Sequence, residues 1–400
     1  MIPAYRQWFN KNFTEEKYHS LLNQFEKQHP GALDFRIAET PVFIDEGFKN
    51  KMLAACESIV DVVTNPNFKS ETERAIPTTW RVPGDDGEPH FIAFDFGICI
   101  NKDKELEPQL IEMQGFATLF AYQCASDKLI RETFHLPGEL TSYLNGFDAH
   151  TYKELLRDIM VADCKPEETI LLEIFPHKQK TRIDFVYTQE LLGIQPVCVT
   201  EIIQEGRELF YMRNERKTKI RRIFNRVIFD ELEQQSDEVK AKAAFFFNDV
   251  DVTWVTHPNW FYRISKFTLP YIQHDYVPAT SFLSDIKTIP GDLENYVLKP
   301  LFSFAGQGVI IDVTKADIEN ITDPQNWILQ RKVEYAAVIP TPDNEPSKAE
   351  IRIFYFWKDG EARPVAAHNL ARLSKGKMIG TRYNKDKTWV GGSICYFEQA

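Results

Sequence analysis

Long apolar runs are missing from this 400-residue chain. No stretch is long enough to span a bilayer, and the start, from Met1 to Asn10, lacks a basic region followed by an apolar one. A cytoplasmic protein is the expectation. An excess of positive charge is missing too: 47 Lys and Arg face 58 Asp and Glu, for a formal net charge of −11, which argues against nucleic acid as the main partner and gives no membrane-binding signal. Cysteines 56, 99, 124, 164, 198 and 395 show neither C-x-x-C nor zinc spacing and read as small buried hydrophobes of a reducing compartment. The nine histidines form no i, i+4 pair and no metal-ligand pattern with acids, which speaks against a zinc hydrolase. G-x-S-x-G does not occur, and nothing supports a serine or cysteine triad. Internal repeats, low-complexity tracts and long Gly/Ser linkers are likewise absent.

Core material is plentiful: 30 Phe, 15 Tyr and 7 Trp in a chain that exceeds one average domain predict two or three subdomains. Apolar residues at helical spacing predict helices over Thr14 to Lys27 and Asp45 to Val63, with Phe9, Phe13, Tyr18, Leu21 and Leu22 as packing residues. Thr169 to Phe175 reads as a strand, Thr181 to Leu192 as a helix and Gln195 to Thr200 as the next strand, a βαβ unit. Ile220 to Asp230 is a further strand with a burst of cations, and Arg221, Arg222 and Arg226 read as a solvated strand edge ahead of a substrate contact. The charged, proline-rich stretch from Pro340 to Pro346 reads as a surface loop.

Two segments carry chemistry. The first runs from Val297 to Ile311: two apolar, strand-like runs flank Lys299 and a small-residue turn in which Gly306 and Gly308 allow positive φ and let backbone N–H groups approach an anion. Alone, this is equally an ordinary β-hairpin with a surface lysine. It is neither a Walker loop, since the lysine precedes the glycines, nor G-x-G-x-x-G, since Ile311 stands at the third glycine position. The second is a pair of short strands, His90 to Ile98 and Leu110 to Phe116. In an extended run Glu112 and Gln114 share a face, so a carboxylate and an amide oxygen can converge on one hard cation with Asp95 from the neighbouring strand; two edge strands with polar residues outward explain the pattern as well.

From about residue 260 to 400 the succession resembles the nucleotide-binding half of the ATP-grasp ligases. It comprises Trp260 to Pro270 with Lys266, the Lys299 strand and glycine turn, the strand from Trp327 to Tyr335, the alternating strand from Ala349 to Trp357, and Ala367 to Lys377. The resemblance implies that Lys266 and Lys299 contact ATP phosphates, that Gly306, Gln307 and Gly308 close over them, and that Gln330 and Val333 form the adenine hinge. With Asp95, Glu112 and Gln114 near the other end, the whole resembles the circularly permuted ATP-grasp ligases, typified by glutathionylspermidine synthetase and eukaryotic glutathione synthetase. There an Asp and a Glu-x-Asn bind magnesium ahead of the phosphate lysines. Gln114 departs from the asparagine, and Ala93 stands where relatives of the glutathionylspermidine type carry an arginine, a place that Arg81 could fill. Arg372 and Lys375 match an Arg-x-x-Lys on a late strand, which implies a catalytic Arg372 on the acyl phosphate or substrate carboxylate, and Gly391 and Gly392 match the paired glycines of a following loop.

The implied architecture is α/β (α+β), a circularly permuted ATP-grasp fold with an inserted Rossmann-like βαβ substrate domain. Residues 1–150 would hold the amino-terminal helices and metal-binding part, 151–255 the substrate domain, and 256–400 the ATP-binding subdomains. The implied function is a Mg-ATP-dependent ligase joining a small-molecule or peptide carboxylate to an amine through an acyl phosphate. An ATP-grasp phosphotransferase acting on a small molecule and an inactive nucleotide-binding descendant of a ligase are the alternatives.

Overall fold

The computed structural model describes the chain except residues 86, 303–307, 377–378, 380–383 and 400, so Gly306 and Gln307 lie outside the described residues. The two chemistry-bearing strands of the first third, Phe91–Ile100 and Leu106–Gln114, pair with each other antiparallel and with three strands from the end of the chain. The resulting five-stranded sheet runs in the order Gly391–Ser393, Val365–Ser374, Lys348–Phe356, Phe91–Ile100, Leu106–Gln114, every neighbour antiparallel. Strand alternation divides its faces. On one, Ile92, Phe94, Phe96 and Ile98 join Ile351, Ile353 and Leu373 in the main core with Met52, Ile59 and Val60 of the helix Glu46–Val63. That helix is capped by Asp45, whose side chain accepts from Phe48 N–H and also holds the terminal ammonium at 2.6 Å. On the other face Phe91, Ala93, Phe354 and Leu370 pack into an aromatic cluster with Phe120, Phe224 and Phe356, while the remaining positions carry charge.

A second sheet is parallel and four-stranded, in the order Thr253–Val255, Arg222–Asn225, Thr169–Glu173, Gln195–Cys198, with the helix Arg182–Leu192 connecting the last two. The βαβ reading holds to within two residues at each boundary. A third, antiparallel sheet places Trp327–Arg331 between Thr280–Phe282 and Tyr296–Pro300, and the Leu298–Ile310 bridge closes the hairpin around Lys299. The meander Ile203–Glu205, Glu208–Arg213, Arg216–Ile220 and the helices Phe120–Phe134 and Ala149–Met160 have no counterpart in the sequence reading. The chain's end is tied to its beginning: Cys395–Glu398 lies between Val42–Ile44 and Leu140–Thr141. No helix among the described residues is long and apolar enough to cross a membrane, and all six cysteines are free.

Gly115 sets how closely the second of the paired strands approaches the segment carrying Lys266. Its N–H donates to Ile264 O at 3.0 Å, and a Cβ there would stand 2.7 Å from Trp260 O and 3.0 Å from Ile264 Cβ. Both neighbours are fixed by the short helix Trp260–Arg263 and the 3-10 turn Lys266–Tyr271, so neither can give way cheaply. Gly115→Ala should therefore cost about 1–3 kcal/mol of local strain, read as a lowered urea midpoint with an unchanged slope. An unchanged midpoint would mean that this contact does not set the spacing.

Candidate functional site

The register of the five-stranded sheet writes the site. In one row Arg352, Asp95 and Glu112 lie directly opposite one another on three adjacent strands, and in the next row Arg372, Glu350 and Gly97 do the same. Residues two apart on a strand share a face, so the rows form one charged patch beside the aromatic cluster. Arg352 grips Asp95 with a two-pronged fork, Nε to Oδ1 at 2.5 Å and Nη2 to Oδ2 at 2.6 Å, and Arg372 Nη2 reaches the same Oδ2 at 3.1 Å. Arg372 also bonds Glu350, whose other oxygen accepts from Tyr335 Oη at 2.6 Å. The Tyr335 ring can lie there because Gly97 has no side chain: a Cβ would stand 2.8 Å from the ring.

Electrostatics follow from this packing. Burial alone would push the Asp95 carboxyl up, but Arg352 and Arg372 outweigh it and hold the group below the usual range. Partial burial and the Asp95 charge push Glu112 up, against the two arginines. Its side chain remains 40% exposed, and its Oε1 accepts from Gln114 Nε2 at 2.6 Å.

Lys299 arrives from the third sheet. Its Nζ donates to Gln330 Oε1 at 2.6 Å and lies 3.4 Å from Ile111 O, next to Glu112. Residues from both ends of the chain thus meet at one place. The Gln330 amide, itself fixed on Thr280 Oγ1 at 3.0 Å, holds this lysine, so its side chain is turned from any base that the strand edge would face. Lys266 heads its 3-10 turn within the field of Glu112, Lys299 and Asp230; burial lowers its ammonium to about 8 against the pull of Glu112. Burial lowers Lys299 as well. Beyond the strand Trp327–Arg331, Lys332 N–H donates to Asn295 O and Ala336 N–H to Ile98 O, so the chain through Val333 folds back over the charged patch. Gly308, at φ +70°, closes its turn against Pro300.

Other expected residues lie elsewhere. Lys375 is turned to Asp343, Nζ to Oδ2 2.5 Å, with its ammonium buried. Arg81 pairs with exposed Glu73, which also binds Arg263, and does not replace the missing arginine. The place beside Asp95 is filled instead by Arg352, from the neighbouring strand. Ala93 is wholly buried in the aromatic cluster. The solvated-edge reading holds for Arg221, 58% exposed, and fails for its two companions. Arg222 is buried, donating to Ile159 O and Asp359. Arg226 is buried over the Phe116 ring, with Nη1 on Phe116 O and Ala117 O at 3.1 and 2.8 Å.

Sequence reasoning also missed a buried polar group at the carboxyl ends of the parallel sheet. From Thr169–Glu173 the chain goes first to the Gln195–Cys198 side and then to the Arg222–Asn225 side, the kind of reversal beside which open α/β sheets commonly take a ligand. Glu173 and Asn225 end those strands, and Arg226 follows. Burial pushes the Glu173 carboxyl up to about 8, against Arg226 and the N–H of Ile174. Asn225 Nδ2 and Arg226 Nε are buried without hydrogen-bond partners among the described residues.

Asp95, Glu112 and Gln114 as placed do not fit a magnesium ion. Both Asp95 oxygens carry guanidinium hydrogen bonds, the Gln114 amide faces Glu112 through its NH2 end, and among the described residues no cluster of three or more His, Cys, Asp or Glu is arranged to hold a metal.

Comparison of the sequence with protein-family models and with curated proteins finds no match. Among solved structures the fold is similar to that of a glutathione synthetase-like effector from Globodera pallida in its apo form. The TM-score is 0.59 at 9% sequence identity, covering 97% of this chain and 99% of that one. The chain therefore has a glutathione synthetase-like α+β fold over nearly its full length.

Removing Arg352 would strand a buried carboxylate on a single remaining arginine. Arg352→Ala should cost about 3–5 kcal/mol in urea unfolding, and Asp95→Asn combined with Arg352→Ala should cost clearly less than the sum of the two single changes. Additive losses would show that the pair is not a unit.

Proposed function

We propose that the protein is an ATP-dependent carboxylate–amine ligase. One observation carries this reading: Lys299 and Lys266 converge with Glu112, Asp95 and Arg372, residues from both ends of the chain, on a single cleft in a glutathione synthetase-like fold. Two confined lysines next to an arginine suit a chain of phosphates, because burial shields each ammonium from bulk water and the guanidinium offers a planar fork. The backbone from Gln330 to Val333 suits a base edge, and Val333 N–H makes no hydrogen bond among the described residues.

In this reading ATP is a substrate. The substrate carboxylate attacks the γ-phosphorus and ADP leaves; the amine then attacks the acyl carbon and phosphate leaves with the carboxylate's bridging oxygen. Lys266, Lys299 and Arg372 screen charge that grows on the transferring phosphoryl group. The buried polar group of Glu173, Asn225 and Arg226 is the place for the partner substrate in this reading: the donors of Asn225 and Arg226 that lack partners among the described residues suit an acid, and Glu173 suits an amine. No step here is routed through a metal, because the carboxylates are held by arginine.

The engagement of Asp95 by two arginines favours a second reading, a nucleotide-binding descendant of a ligase without turnover. An 18O-labelled carboxylic acid separates them: label in the released phosphate together with amide is expected of the ligase, whereas tight ATP binding with no turnover across an acid–amine panel supports the descendant. Arg372→Ala should lower kcat more than it weakens ATP binding.

Lys299→Met should weaken ATP binding by about 1.5–3 kcal/mol, the worth of one charged hydrogen bond; equal affinity in mutant and parent would overturn the assignment. The pH profile tests Lys266. With its ammonium lowered to about 8, the charged form that an anion needs is complete below pH 7 and is lost above 8, so affinity should fall by up to about tenfold per pH unit there. Lys266→Arg, which stays charged, should flatten the fall, and a flat profile in the parent to pH 9.5 would remove Lys266 from the phosphate site.

A further inference from the structure

Arg352 lies where a divalent cation shared by Asp95 and Glu112 would lie. Its fork takes both oxygens of Asp95, and Nη2 stands 3.9 Å from Glu112 Oε1, so one guanidinium touches the two carboxylates at once. It is well held: its own side chain is 10% exposed and that of Asp95 1%. A divalent ion would need oxygen ligands near 2.1 Å in octahedral array, which requires first breaking a two-pronged charged bond inside the protein. The guanidinium differs from such an ion in one useful respect. Five N–H donors radiate from it, two are used on Asp95, and Nη1 makes no hydrogen bond among the described residues. Arg372, on the other side of Asp95, adds a buried Nε without a partner among the described residues.

The local charge count points the same way. Lys266, Lys299, Arg352 and Arg372 face Asp95, Glu112 and Glu350, with Asp230 beside Lys266, so the patch is balanced without a metal, and partial burial has raised the proton affinity of Glu112. A divalent cation is not needed to neutralise these carboxylates. Resting on the reading of this cleft as a phosphate site, we propose that Arg352 takes the place of a divalent metal, so that the cleft binds a triphosphate chain in its metal-free form.

Inorganic tripolyphosphate is the probe, titrated calorimetrically into the full chain in EDTA and again in excess magnesium. The expected result is an affinity in EDTA at least as high as in magnesium, and a loss of about tenfold in Arg352→Lys, which keeps the charge but not the fork. Manganese binding to the protein alone, followed by the loss of its free-ion paramagnetic resonance signal, should be the same for the parent and Asp95→Asn. Tripolyphosphate that binds only with magnesium, or a manganese site that Asp95→Asn abolishes, would overturn the metal substitution and leave the phosphate reading standing. Failure to bind under either condition would overturn both. Arg352→Lys is the milder change at a position where alanine threatens folding, and a parent-like urea midpoint ties its lost affinity to the missing fork.

Discussion

The fork of Arg352 on Asp95 is the contact on which the centre of this molecule depends. A carboxylate at the middle of a five-stranded sheet, closed to solvent, costs several kcal/mol to desolvate unless a cation of matching geometry accompanies it. The partner sits 257 residues further along the chain. Strand register therefore carries a charge constraint as well as an apolar one: a slip of one residue between Lys348–Phe356 and Phe91–Ile100 would send Arg352 into the apolar core and leave Asp95 facing a hydrophobic side chain.

Around that pair the same sheet face divides its labour by distance along the strands. Toward Phe91 and Phe356 it is aromatic, with ring pairs at 4.7 to 6.4 Å, and toward Asp95 and Glu350 it is charged. Side chains at the aromatic end are interlocked, so the charged end is presented by strands that cannot flex independently. Lys299 and Lys266, by contrast, come from a separate three-stranded sheet and a short turn, and these segments meet the floor through single hydrogen bonds such as Leu110 N–H to Tyr276 O, Ala336 N–H to Ile98 O and Gly115 N–H to Ile264 O, not through a continuous strand pairing.

Much of this was legible because strands announce themselves by alternation. Glu112 and Gln114 share a face as the period of two requires, and Lys299 stands on the strand Tyr296–Pro300. The βαβ unit was visible in its spacing. What the sequence hid was partnership. Glu350 and Arg352 were in plain sight, as two opposite charges at i, i+2 in the otherwise apolar run Lys348–Phe356, and charge inside a buried strand is a signal that a partner waits across the sheet. Which partner depends on a register set by turns and packing far away. Arg222 and Arg226 were misread for a related reason: a cluster of cations looks solvated when counted, and only the tertiary fold reveals carbonyls of other segments turned toward it. The meeting of Glu173, Asn225 and Arg226 could not be read at all, since the order of strands in a sheet is a property of topology.

The placement of the Asp95 strand bears on how the chain is made. Until Lys348–Phe356 leaves the ribosome, the strand Phe91–Ile100 has a partner on one edge only, the hairpin neighbour Leu106–Gln114, and its other edge stays open with an unpaired acid in it. Closing that edge means bringing together segments separated by more than half the chain, a slow search. An open edge is also a template for pairing with other chains. The nascent protein thus passes most of its synthesis with that strand edge uncovered, and Asp95, charged and unmatched, discourages a wrong strand from docking there before the right one arrives.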